Sequence, residues 1–215
     1  MPQVDVTPLF PIPFMRVTEL LPAALVRDCV EQLKASTTRT NAKSDLLSHT
    51  DIDGLEGSDL YPRIGALVAP HLAQFGELLF GEKLEWSIKE IWSNVLEPGG
   101  HQSVHAHSNS FISGIVYLTE SDPSARTVFH RSLGGTEFVF SNDNPNAKMG
   151  PFNGNKWVSP QVLPGDMVLY PSYLLHEVPV NQGLQRMTIA FNAIPDRLDT
   201  WGYSIHFDSR RSERR

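Results

Sequence analysis

A mainly β domain with helices gathered at its N-terminal end is the fold class the sequence predicts, on three observations. Apolar residues recur at helical spacing before residue 84 and at a period of two after it. Short β-rich runs then alternate with Gly, Pro and Asn turn signals. No internal repeat and no second core is visible. Helices followed by many short strands argue for a β-sandwich or barrel decorated with helices. The 215 residues read as one domain, long enough to bury a sizeable core. Within it, 1–83 supplies the packing helices, 84–195 the β core and 196–215 a tail.

Each element has its own local reason. Leu9-Phe10-Pro11-Ile12-Pro13-Phe14 is an extended, proline-stiffened opening. After Pro22, a suitable first-turn residue, the spacing of Leu25, Val26, Cys29, Val30 and Leu33 predicts a helix over 22–35. Residues 36–59, rich in Ser, Thr, Asn, Asp and Gly, read as a surface loop. A second helix is predicted over 61–80. Ile64, Leu67, Val68, Leu72, Phe75, Leu78 and Leu79 share one side with His71, read as a core histidine, and Pro70 imposes a kink or break.

Alternation starts at Leu84-Glu85-Trp86-Ser87-Ile88-Lys89, and strands are expected within 111–119, 136–140, 166–170 and 186–193. Pro98-Gly99-Gly100, Gly134-Gly135, Asn144-Pro145-Asn146 and Pro164-Gly165 mark the turns. The stretch 141–160 reads as a long loop of the kind that covers a site, with Phe152 and Trp157 packing it down or closing over a substrate.

Composition excludes several classes. With 40% hydrophobic and 20% charged residues the chain is neither disordered nor fibrous. Its net charge is −6, and residues 210–215 hold four arginines against one glutamate, so the rest is more acidic still. Such a body is a poor partner for nucleic acid, and the basic tail reads as a solvated end. No phosphate-cradling Gly loop, Rossmann fingerprint or serine nucleophile elbow is present. Cys29 cannot form an internal disulfide and sits where a helix buries a small residue, so it is no nucleophile candidate. No run approaches the roughly 18 apolar residues of a membrane span, and the opening lacks the layout of a signal peptide. A soluble cytoplasmic protein is expected.

Three histidines are informatively placed. His105-Ala106-His107 ends the segment that begins at Gly99-Gly100, and His176 ends Pro164-Gly165-Asp166-Met167-Val168-Leu169-Tyr170-Pro171. Residues i and i+2 of a strand share a face, so His105 and His107 can converge on one ion, with His176 completing the set if its strand is adjacent. The bland alternative leaves one imidazole in a turn and the other in solvent. Arg186 sharpens the choice. In Arg186-Met187-Thr188-Ile189-Ala190-Phe191-Asn192, alternation puts Arg186, Thr188, Ala190 and Asn192 on one face and the apolar residues on the other, under the helices. A buried guanidinium needs an anion, which is either a ligand carboxylate, with Thr188 as an extra donor, or a structural partner such as Asp166 or Glu177.

Gly99-Gly100, His105-x-His107, Ser113-Gly114-Ile115-Val116-Tyr117-Leu118, Pro164-Gly165-Asp166, His176 and Arg186-x-Thr188 together resemble the core of the iron(II)/2-oxoglutarate-dependent dioxygenases. The chain is more closely similar to their bacterial and phage group of 2OG-Fe(II) oxygenases, loosely over 8–17 and well over about 90–193. The resemblance implies a double-stranded β-helix (jelly roll) with helices packed on one sheet. It implies that His105 and His176 ligate Fe(II), and that Arg186 and Thr188 grip the distal carboxylate of 2-oxoglutarate, the cosubstrate. Tyr117 is either a further contact to 2-oxoglutarate or a core tyrosine. The implied reaction hydroxylates a substrate with O2 while 2-oxoglutarate is decarboxylated to succinate.

His107 stands where the wider superfamily has Asp or Glu, which makes a set of three imidazoles with one negative charge fewer. Such a trio also suits zinc, so a three-histidine dioxygenase or zinc hydrolase without 2-oxoglutarate stays open, as does a non-catalytic ligand-binding jelly roll. Asn94 reads as a buried amide, sharing the parity of Trp92, Trp86 and Ile88. His101 reads as surface or support, Asn109 and Ser113 as supporting contacts, and His49, His130 and His206 as loop residues. A homodimer is compatible with the sequence, and the substrate is unspecified.

Overall fold

The computed structural model describes residues 2–36, 39–40, 46–50, 58–132, 142, 144–148 and 150–209. The strand expected at 136–140, the Gly134-Gly135 turn, parts of 36–59 and 141–160, and the basic end at 210–215 lie outside them. In chain order the elements are β1 (Met15–Val17), α1 (Ala23–Ser36), β2 (Arg39–Thr40), β3 (Leu47–His49), α2 (Leu60–Phe80), β4 (Trp86–Leu96), β5 (Gln102–His105) and β6 (Ile112–Tyr117). There follow β7 (Val128–His130), β8 (Lys156–Val158), β9 (Met167–Pro171), β10 (His176–Val178), β11 (Arg186–Pro195), β12 (Arg197–Thr200) and β13 (Tyr203–His206).

Among the described residues all the strand pairings are antiparallel. One sheet has the order β1-β9-β6-β11-β4-β3-β2, a second β5-β10-β7-β8, and β12 pairs with β13 alone. The large sheet buries a different chemistry on each face. Ile91, Val95, Ile112, Val116, Met167, Leu169, Met187, Ile189 and Phe191 pack with Leu25, Cys29 and Leu33 of α1 and Ile64, Val68, Leu72 and Phe75 of α2. The opposite face meets the small sheet through Ile115, Tyr117, Val168 and Tyr170 against Phe129 of β7. Helices, large sheet and small sheet thus form three layers.

Both helices keep the predicted apolar stripe. The α2 helix runs unbroken through Pro70, and its C-terminal Gly81 takes a left-handed φ of 71° while donating its N–H to Glu77 O. His71 is half-buried rather than a core residue, and Leu78 is exposed, because the stripe turns toward Leu60, Tyr61 and Gly76. Gly114 on β6 lets Phe191 of β11 lie flat against the sheet: a Cβ there would come within 2.1 Å of the Phe191 ring.

The short strands β1, β2, β3, β5, β7, β8, β10, β12 and β13 escape the sequence pattern, since two to four residues are too few for a period to show. The 197–206 stretch, read as tail, is a hairpin turning at Trp201-Gly202. His49, His130 and His206 lie on strands rather than in loops. In β4 the register with β11 shifts between Asn192 and Ala193. That bulge inverts parity. Trp86 and Ile88 therefore pack under the helices, whereas Trp92 faces the ring of His107 at 5.8 Å, which corrects the expected shared parity. Among the described residues no helix is long and apolar enough to cross a membrane.

Candidate metal centre

Antiparallel pairing of β5 with β10 makes His105 and His176 direct partners, so their side chains project from the same face of the small sheet. His107 lies beyond the end of β5, not on it; its N–H donates to Ser172 O, which turns the chain back toward β9. His107 is therefore brought to the other two rings by the turn after β5 rather than by strand alternation. Ring centroids are 4.2 Å apart for His105 and His176, and 5.2 Å for His107 with either. One nitrogen from each ring lies within 4.8 Å of the others, the single such cluster of metal-ligating groups among the described residues.

The rings are aimed by their neighbours. Nδ1 of His105 bonds Ser103 O at 2.8 Å, and Nδ1 of His176 bonds Leu174 O at 2.9 Å. A carbonyl only accepts, so both Nδ1 atoms carry the proton and both Nε2 atoms present a lone pair. Nδ1 of His107 lies 3.5 Å from Asn192 Nδ2. The Asn192 amide is fixed by giving a hydrogen bond to Glu90 Oε2 (2.9 Å) and accepting one from Ser113 Oγ (2.8 Å), itself 2.9 Å from Ser172 Oγ. This chain of hydrogen bonds orients the His107 ring from behind. Burial, and secondarily the neighbouring His105, holds His107 down to about 4 and His176 to about 3. Both are neutral at pH 7, the form that donates to a metal.

Arg186 opens β11 on the same face as Thr188 and Asn192, as the alternation predicts. It is only 4% exposed. Its Nε donates to Ser121 Oγ at 3.1 Å, and its guanidinium carbon lies 5.3 Å from the Tyr117 ring centroid. Neither expected carboxylate pairs with it. Asp166 is held by Arg16 at 2.6 Å and by the backbone N–H groups of Glu19 and Leu163; Glu177 accepts from His130 Nε2 at 2.9 Å. Nη2 of Arg186 is buried with no hydrogen-bond partner. A cation kept from water without an anion is costly, so the site is built for an anion to complete it.

Thr188 is buried two residues along the same strand, register partner to both Tyr117 and Asn94. Tyr117 is 1% exposed, in the cluster between the sheets. Its ring forms the floor beneath the Arg186 guanidinium. Asn94 is half-buried and Asn109 exposed at a positive φ of 56°, so Asn109 supports nothing at the site, whereas Ser113 does. Trp157 packs on Phe14 and Phe129, and Phe152 is exposed. Burial pushes the Cys29 thiol up to about 12, in keeping with an inert side chain.

Sequence reading missed Ser121, Tyr170, Glu90 and Asn192 as site residues. Asn192 shared the parity of Arg186 and could have been found. Ser121 could not, because it reaches Arg186 from a connection with no period. The donor set fits a metal with an open face: three convergent imidazoles, with an anion-seeking guanidinium on the neighbouring sheet.

Residues 90–192 match the family described as "Putative 2OG-Fe(II) oxygenase". No curated protein sequence matches the chain. Among solved structures it is similar to HygX from Streptomyces hygroscopicus, crystallised with nickel and 2-oxoglutarate bound (12% identity, 86% of this chain and 83% of that one, TM-score 0.61). It is similar to the non-haem alpha-ketoglutarate-dependent epimerase SnoN of nogalamycin biosynthesis (12% identity, 92% and 82%, TM-score 0.62). A Pseudomonas putida prolyl-4-hydroxylase shares 15% identity over 84% of this chain and 92% of that one, at a TM-score of 0.56. At these identities the likeness is one of fold.

Proposed function

We propose, from a chain whose residues 90–192 are those of the 2OG-Fe(II) oxygenase family, that the protein is a non-haem Fe(II)/2-oxoglutarate-dependent oxygenase. It hydroxylates a substrate in the cytoplasm while 2-oxoglutarate is decarboxylated to succinate. Its facing sheets are the two halves of a double-stranded β-helix, in one domain. The observation that carries the reading is the buried, unpartnered Nη2 of Arg186 beside three convergent imidazoles.

His105, His107 and His176 would hold the iron, and the bound metal would supply the site for O2 activation and for chelating the 2-oxo acid. The protein's own part is positioning. Ser121 fixes the Nε edge of Arg186 and Tyr117 its face, which leaves Nη2 for the distal carboxylate, with Thr188 on the same strand face as a second donor. Asn192 keeps His107 in place, and the apolar wall of Ile115, Phe129 and Val168 keeps water from the cosubstrate. His107 and His176 shed their protons well below pH 7, so at those two rings metal and proton do not compete at working pH.

An imidazole-only donor set also favours a second reading, a three-histidine metalloenzyme without 2-oxoglutarate. That reading has no use for Arg186 Nη2. Slow oxidation of 2-oxoglutarate without substrate distinguishes them: Fe(II)- and O2-dependent succinate release is expected from wild type and absent in His176→Ala. No succinate under any loading contradicts the proposal.

A further inference from the structure

Tyr170 was part of no expectation, yet it stands between the two halves of the site. It lies on β9, on the face turned to the small sheet, and is 1% exposed. Its Oη donates to His176 Nε2 at 3.1 Å, because Nδ1 of that ring holds its proton toward Leu174 O and Nε2 can only accept. This is the lone pair a metal would use. A metal on Nε2 and the hydroxyl of Tyr170 compete for one electron pair, and a buried hydroxyl stripped of its acceptor costs free energy until it finds another.

The surroundings narrow what that acceptor is. The Tyr170 ring packs on Phe129 at 5.0 Å and on the His176 ring at 5.0 Å; Phe129 offers no acceptor, and His176 offers none once a metal holds its Nε2. The ionisable groups whose charges act on its hydroxyl are Tyr117 and Arg186. A phenol has one O–H to donate. The carboxylate oxygens that Arg186 would draw in are acceptors of the required kind, brought to the required place.

We infer that Tyr170 is a binding residue for the cosubstrate, whose hydroxyl passes from His176 Nε2 to an oxygen of 2-oxoglutarate when metal and cosubstrate load. The inference rests on the proposed 2-oxoglutarate reading. It makes cosubstrate binding depend on prior metal binding through one named proton donor, with no bond made or broken beyond the hydrogen bond. By contrast, Gln102, whose Nε2 lies 3.3 Å from His105 Nε2, meets that ligand from a half-buried position on β5.

The test is calorimetric and anaerobic, and uses Co(II) as the metal and 2-oxoglutarate as titrant, on wild type, Tyr170→Phe and Arg186→Met. Phenylalanine keeps the ring, and near-ultraviolet circular dichroism reports the packing. Tyr170→Phe is expected to bind Co(II) as tightly as wild type or more tightly, since a competing donor is gone. It is expected to bind 2-oxoglutarate about tenfold or more weakly, the scale of a hydrogen bond to a charged group. Unchanged 2-oxoglutarate affinity in Tyr170→Phe, with loss in Arg186→Met, overturns the inference and leaves the function standing. Weaker Co(II) binding in Tyr170→Phe also overturns it, since the tyrosine then merely props His176. Unchanged affinity in both variants defeats the 2-oxoglutarate reading and this inference with it.

Discussion

The two faces of the large sheet are made by the same strands, yet they are stabilised in opposite ways. On β11, Met187, Ile189 and Phe191 are wholly enclosed by helices and neighbouring strands, every contact apolar and every requirement met. One residue out of step, Arg186, Thr188 and Asn192 are just as buried, but Arg186 ends with an unpartnered nitrogen. Burial alone therefore does not distinguish a core from a site. What sets the site apart is a buried charge without an anion, Arg186 Nη2, where the helix face leaves only a neutral donor, Trp86 Nε1, without a partner.

Breaking the apolar face should cost stability and nothing specific. Phe191→Ala is expected to lower unfolding free energy by about 3–5 kcal/mol, read by denaturant titration, because the ring fills the space that Gly114 leaves for it. Breaking the polar face should do the reverse. Arg186→Met is expected to keep or raise Tm, since it removes a buried unpaired charge, while weakening 2-oxoglutarate binding about a hundredfold. A lower Tm with unchanged binding would put Arg186 in the core after all.

Acid sharpens the contrast in the metal-free protein. His107 and His176 are held from an ordinary 6.5 to about 4 and about 3. The unfolded chain therefore takes up protons that the folded one refuses. Stability is lost as pH falls from about 6.5 toward 3, by on the order of a few kcal/mol per histidine. Tm measured across that range should fall with acid, and His176→Gln should flatten the slope. The smallest effect belongs to Ser121→Ala, which frees the Nε edge of Arg186. It is expected to weaken 2-oxoglutarate binding several-fold, about 1 kcal/mol, with metal affinity unchanged.

Much of this was readable in advance wherever a period ran long enough. Both helices, the alternation of β11 and the grouping of His105, His107 and His176 follow from apolar spacing and from the order of the motifs. Short strands left no such trace. The bulge opposite Asn192 reversed the parity of Trp92 relative to Trp86, and nothing in the local sequence marks it. Pairing across the chain is also invisible to spacing. Arg16 reaches Asp166 over 150 positions and so removes the acid that could have neutralised Arg186. Tyr170 stayed hidden because a tyrosine in an apolar strand reads as core, and only the geometry shows its hydroxyl on a nitrogen of the histidine cluster.

The central claim is that three imidazoles and one guanidinium serve a single metal-bound 2-oxo acid. Anaerobic addition of Fe(II) and 2-oxoglutarate, followed by visible absorption, tests it most directly. Wild type should develop the weak charge-transfer band of the iron chelate, and Arg186→Met should lose it at the same cosubstrate concentration while still retaining iron. A wild-type protein that binds iron through the histidines and shows no such band at saturating 2-oxoglutarate would contradict the account.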